Sequence, residues 1–118
     1  MTNSKLYDLE ERTLSFAKEV RHFVKLLPRS IANLEDGKQV IRSSGSIGAN
    51  YIEANEALGK KDFVLRVRIS RKEAKETRFW LNLIDTGDNQ ELENIRTKLL
   101  GEVTELLKIL SSIINKSK

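Results

Sequence analysis

The 118-residue sequence contains no cysteine, one histidine, one proline and one tryptophan. The missing cysteines exclude disulfides, thiolate nucleophiles and cysteine zinc sites together, and they fit a reducing compartment. The single histidine, His22, lies among charged residues on the polar side of a helical pattern, where a solvated surface role is expected. A general base needs an oriented partner, and a transition-metal site needs more than one such ligand. The carboxylates are scattered and form no metal motif, so neither a cofactor nor an enzymatic activity is expected. No apolar run approaches the ~20 residues of a membrane span. Asp8, Glu10, Glu11 and Arg12 break up the start, unlike the apolar core of a signal peptide. The expectation is a cytoplasmic protein without a membrane partner.

Proline and glycine are scarce as well. Pro28 stands alone, there are six glycines, and 32% of the residues are charged, a composition that favours helix. A chain of this length buries roughly two-thirds of its unfolded surface and needs no metal or disulfide to fold as one domain.

Four periodic segments are present, predicting an all-α, antiparallel up-and-down four-helix bundle with helices over about 4–27, 35–58, 62–85 and 89–115. Leu6, Leu9, Thr13, Phe16, Ala17, Val20, Phe23, Val24 and Leu27 form the first stripe, which Pro28 ends. Arg29, Ser30 and Asn33 read as a connection, with a helical turn through Ile31 and Leu34. Val40, Ile41, Ser44, Ile47, Gly48, Tyr51 and Ile52 give the second helix its apolar face, with Gly59 as its stop. Asp62 is the expected N-cap of the third helix, and Thr86-Gly87-Asp88 a turn. Leu92, Ile95, Leu99, Val103, Leu106, Leu110 and Ile113 then repeat in coiled-coil steps. The short links between segments favour antiparallel neighbours.

Two helices carry more than a core face. In the second, Gln39, Arg42, Ser46, Asn50 and Glu53 form a polar stripe bordered by small residues, opposite the apolar face. It is either a solvated face or a hydrogen-bonded interface; Arg42 and Glu53 are too far apart to pair along one helix. Gly45-Ser46-Ile47-Gly48 lacks the Lys-Ser/Thr ending and the preceding strand of a phosphate loop, and reads as small residues admitting a neighbouring helix. In the third, Phe63, Val67, Ala74 and Leu81 make one apolar strip, while Leu65, Ile69, Trp80 and Leu83 make another about 140° away. The second strip either widens the core contact or meets another subunit.

The charge is uneven. Residues 1–58 carry eight Lys/Arg and eight Asp/Glu, and residues 85–118 five and six, so the net charge of +4 comes from residues 59–84, with eight and three. Arg68, Arg71, Lys72, Lys75 and Arg78 run along one side of the third helix with Phe79 among them. Basic residues interleaved with an aromatic can track a phosphate backbone and stack on a base, although a solvated face is the plainer alternative. RNA or DNA is therefore one expected partner. An acidic protein, such as a nucleic-acid enzyme docked on the same side, is the other.

Leu27-Pro28, the run Gln39-x-x-Arg42-x-x-x-Ser46-x-x-x-Asn50-x-x-Glu53, Lys61-Asp62-Phe63 and Glu76 together resemble the small four-helix-bundle proteins encoded within intervening sequences of 23S ribosomal RNA. The resemblance covers most of the chain. It departs at Ile52-Glu53-Ala54, where the family often has Ala-Glu-Gly, and at Lys72 and Glu73, where small residues are common. The resemblance implies a homopentameric ring, in which five copies of the basic side would reinforce one another. Phe79-Trp80-Leu81 is also similar to a related bundle, the accessory variability protein of diversity-generating retroelements, a basic pentamer that binds nucleic acid and a reverse transcriptase.

Overall fold

In the computed structural model the backbone is described for residues 4–117 and the side chains for residues 9–117. The side chain of Leu6 in the first stripe and the whole of Lys118 lie outside these ranges. The described residues form four helices: α1 (Ser4–Leu26), α2 (Ile31–Asn55), α3 (Lys60–Leu83) and α4 (Gln90–Lys116). Each helix packs on its neighbours in sequence and α1 packs on α4, while among the described residues neither diagonal pair brings its backbones together. Side-chain contacts fix the directions. Thr13 lies against Gly48 and Val24 against Gly37, so α1 and α2 are antiparallel. Ser70 meets Ile47 and Thr77 meets Ser43 between α2 and α3. Arg71 meets Ser111 and Arg96 meets Leu81 between α3 and α4. This is the expected up-and-down bundle.

The core follows the aliphatic stripes. Phe16, Val20 and Phe23 of α1, Val40, Ile47 and Tyr51 of α2, Val67, Ala74 and Leu81 of α3, and Leu99, Val103, Leu106 and Leu110 of α4 are buried. Each large side chain removed from water in this way contributes roughly 1.5–3 kcal/mol. Leu107 and Ile114 join the α4 seam, whereas Ile95 and Ile113 are only partly buried.

The helix ends differ from the sequence expectation, most of all around α2. Helix α2 begins at Ile31, because Ser30 is its N-cap: the Ser30 hydroxyl accepts from the Asn33 amide at 3.0 Å. The supposed connection is its first turn. Gly59 does not end α2, which stops at Asn55; it is the N-cap of α3. Asp62 accordingly sits in the first turn of α3, where a carboxylate still complements the helix dipole. At the other end of the chain, α4 extends through Lys116, with Ser117 as its cap.

Side-chain hydrogen bonds close the bundle where helices meet. The buried Asn33 amide donates to the Pro28 carbonyl at 2.9 Å and the Asp85 carbonyl at 2.8 Å, and its oxygen accepts from the Asp85 amide at 3.1 Å. One side chain thus satisfies backbone groups of two different links. Beside it, Gly87 and Asp88 both adopt positive φ, 66° and 61°. A side chain at Gly87 would also crowd Pro28, its Cβ lying 3.1 Å from Pro28 Cγ. Arg96 donates to the Leu81 carbonyl at 3.2 Å, to the Ile84 carbonyl and to Glu93 at 2.6 Å, tying α4 to the end of α3. A short hydrogen bond from Thr86, with further help from Arg96, holds the Glu93 carboxyl below the usual carboxylate range.

Small residues set the spacing between α1 and α2. A Cβ at Gly48 would stand 2.7 Å from Thr13 Oγ1 and 3.1 Å from Thr13 Cβ, whereas one at Gly101, exposed in the middle of α4, would meet nothing. The two glycines predict opposite effects of the same change. Gly48→Ala overpacks the seam by about 1–3 kcal/mol, exceeding the roughly 1 kcal/mol helix-propensity gain. Gly101→Ala keeps only the gain and raises stability by about 0.5–1 kcal/mol. Urea denaturation of the two variants reads both signs.

The Tyr51 side chain is buried and its hydroxyl has no hydrogen-bond partner among the described residues. Burial pushes its pKa up; nearby Asn55 favours the phenolate and so opposes the shift, while the Glu10 carboxylate adds to it. An acid with a raised folded pKa disfavours ionisation in the folded state, so its contribution is lost as pH climbs past the unfolded value of 10.0. Tyr51→Phe should be neutral to mildly stabilising at pH 7 and should flatten the alkaline loss of stability, read as Tm between pH 8 and 11.

Candidate nucleic-acid interface

Three arginines of this chain pair with carboxylates of other helix positions. Arg12, Arg42 and Arg96 spend their charge inside the bundle. Arg12 holds Glu102 with two hydrogen bonds of 2.8 and 2.9 Å, bridging α1 and α4. Arg42 reaches from α2 to Glu73 at 3.3 Å and Glu76 at 3.0 Å on α3. By contrast, Arg68, Arg71, Lys72, Lys75 and Arg78 make no salt bridge among the described residues. Arg68, Lys72 and Lys75 are exposed, and Arg71 and Arg78 are half-buried at the edge facing α4.

The antiparallel register supplies a second wall. Arg71 donates to the Ser111 hydroxyl at 3.2 Å, which sets α3 beside the C-terminal half of α4. Between the two helices runs an open cleft of about 720 Å³, lined on one side by Lys75 and Arg78 and on the other by Thr104, Lys108, Ser111, Ser112, Asn115 and Lys116. A second recess of about 510 Å³, bordered by Lys60, Lys61, Val64, Leu65, Arg68 and Ser117, lies at the start of α3. Lys108 has one carboxylate neighbour, Glu105 at a loose 3.7 Å and largely exposed, so it keeps most of its field for an external anion. The groove is therefore lined by cations from both helices, with hydroxyl and amide groups between them.

Phe79 stands one turn beyond Lys75 and is 58% exposed. Its ring meets Trp80 edge-on, with centroids 5.1 Å apart and planes at 78°. Trp80 itself is partly buried against the core.

The remaining predicted positions lie toward the α2 edge of α3, although Leu65 also borders the second recess beside Arg68. Leu65, Ile69, Trp80 and Leu83 share an edge with Glu76, and the Arg42–Glu76 contact places the α2 polar stripe alongside them. The stripe therefore flanks the α2–α3 junction. Arg42 finds its partners within the chain, and the Asn50 amide donates to the Ser46 carbonyl at 2.9 Å. Gln39 is half-buried and Glu53 exposed. Within the apolar strip Ile69 and Trp80 are partly covered, whereas Leu65 and Leu83 remain 53% and 52% exposed. The α2–α3 junction beneath is polar and close: Ser70 donates to the Ile47 carbonyl at 2.7 Å, and the Thr77 and Ser43 hydroxyls are bonded at 2.8 Å.

Among the described residues no group of three or more His, Cys, Asp and Glu side chains could hold a metal ion, and no helix is long and apolar enough to cross a membrane. His22 is exposed on α1, away from the groove.

Comparison with known proteins agrees with this architecture. A solved structure of a protein of unknown function from the S23 ribosomal protein family of Bacteroides thetaiotaomicron VPI-5482 is 32% identical. The match covers 90% of this chain and 97% of that one, with a TM-score of 0.75. No match is found among curated proteins. Residues 7–112 match the family described as 23S rRNA-intervening sequence protein. By that match and that likeness, the chain belongs to the 23S rRNA-intervening sequence protein family.

Proposed function

We propose that this chain is a non-catalytic, homo-oligomeric bundle that binds nucleic acid, RNA in preference to DNA, through the groove between α3 and α4. The observation that carries this reading is the contrast between Arg12, Arg42 and Arg96, committed to internal ion pairs, and the groove cations, of which Lys108 alone has a carboxylate neighbour among the described residues, Glu105 at 3.7 Å. Aligned unpaired cations concentrate a positive field along a cleft, and a polyanion released from its counterions is the partner that field favours. The hydroxyl and amide groups of Ser111, Ser112 and Asn115 between the cations support RNA, which offers them a 2′-hydroxyl. Fluorescence anisotropy with labelled RNA at low salt is the test. Binding that weakens linearly in log–log coordinates with added salt is expected, and no binding to any structured or single-stranded probe overturns the reading.

Assembly is the second part of the proposal. Leu65 and Leu83 leave an apolar edge on α3 beside the polar stripe of α2, a surface suited to another subunit. A pentamer has a mass near five times 13.5 kDa, which light scattering at micromolar concentration measures directly; a monomer mass contradicts it. The same exposed leucines support the alternative, a scaffold for an acidic protein partner. A pull-down that survives nuclease treatment would favour that alternative.

A further inference from the structure

Resting on that reading, we propose that the groove takes a single RNA strand, with phosphates between α3 and α4 and a base stacked on Phe79. Three observations point to a single strand. Packed helices lie about 8–10 Å apart, so the cleft between them admits one sugar–phosphate chain and excludes a duplex. Arg71 and Arg78 are half-buried in its wall, and Arg71 is already turned inward to Ser111. A strand lying in the groove reaches them, whereas a duplex resting on the helix ridges meets the exposed cations, Arg68, Lys72, Lys75, Lys108 and Lys116.

Phe79 is the second observation. A large apolar ring stands 58% exposed one turn from Lys75, and its T-shaped contact with the partly buried Trp80 props it in place. A base pair inside a duplex offers no face to such a ring, whereas an unpaired base does. The third is the α4 wall. Ser111, Ser112 and Asn115 present hydroxyl and amide groups to the cleft, and these can exchange hydrogen bonds with the 2′-hydroxyl that distinguishes RNA from DNA.

The test uses the full chain with three labelled probes of one sequence: single-stranded RNA, single-stranded DNA and an RNA duplex. Trp80, the only tryptophan, reports stacking on its neighbour through its emission. Single-stranded RNA should bind most tightly and change Trp80 emission. Phe79→Ala should weaken its binding about tenfold or more and abolish the RNA-induced change, while Phe79→Trp restores the affinity. The exposed position leaves the fold intact, which far-UV circular dichroism verifies. Duplex binding as tight as single-strand binding, with Phe79→Ala without effect, overturns the single-strand inference and leaves the groove reading standing. DNA bound as tightly as RNA overturns the role given to the α4 wall. Failure of all three probes to bind removes the groove reading as well.

Discussion

Replacing Arg68, Arg71, Lys72, Lys75 and Arg78 together by glutamine is expected to weaken RNA binding by about two to three orders of magnitude near physiological salt. Each phosphate neutralised by a cation contributes about 0.7–0.9 to the slope of log affinity against log salt, so the slope should fall by roughly four. Glutamine keeps most of each aliphatic stem, and none of the five side chains takes part in a salt bridge among the described residues. The variant should therefore retain its fold, although it gives up the hydrogen bond from Arg71 to Ser111 at the groove wall. A control variant removes four exposed cations elsewhere, Lys18, Lys25, Arg29 and Lys38 of α1, the α1–α2 link and α2. If the binding field is spread over the whole surface, both sets cost alike. If it is concentrated in the groove, the control loses tenfold or less.

Asn33→Ala is expected to be the most damaging single polar substitution in the bundle. Three hydrogen bonds disappear, and the carbonyls of Pro28 and Asp85 and the amide of Asp85 lose their partner in a part-buried setting. A typical bond contributes about 1 kcal/mol and a stranded buried group costs about 1–3 kcal/mol, so a total loss of about 3 kcal/mol is expected. For a domain of this size that lowers Tm by about 10–15 °C. Asn33→Asp separates hydrogen bonding from volume. It keeps the shape and the acceptor but sets a carboxylate against two carbonyls, so it should be at least as destabilising as alanine. A fully tolerated Asn33→Asp would show that the two links are held by packing alone.

The bundle was legible because its core depends on periodicity. Val20, Val40, Val67 and Val103 each fall on the stripe that the spacing assigns to the interior, and each is fully buried. The start of α2 was obscured for a physical reason. Its first turn projects past the core, leaving Ile31 and Leu34 exposed, so the amphipathic pattern that marks a helix is absent there and the Ser30 cap is the remaining signal. Gly59 misleads in a similar way, since glycine serves at either end of a helix and only the neighbouring hydrogen bonds distinguish the two.

The α3 half of the groove could be read from charge alone, and the α4 half could not. Lys108 and Lys116 sit in a segment whose acids outnumber its bases, so composition conceals them. The antiparallel register that puts Ser111 beside Arg71 is what assembles the second wall. The Arg42 contacts show the same limit: Glu73 and Glu76 lie more than thirty residues away in sequence. Nothing in one helix's pattern reveals that Arg42 is paired across the α2–α3 junction while Arg68 is free for a ligand.

Photocrosslinking of the wild-type protein to RNA, followed by mass spectrometry of the attached peptides, tests the central claim most directly. Crosslinks should fall on residues 68–79 of α3, Phe79 foremost, and on residues 104–116 of α4. Crosslinks confined to α1 and the α1–α2 link would contradict the assignment of the α3–α4 groove as the binding surface.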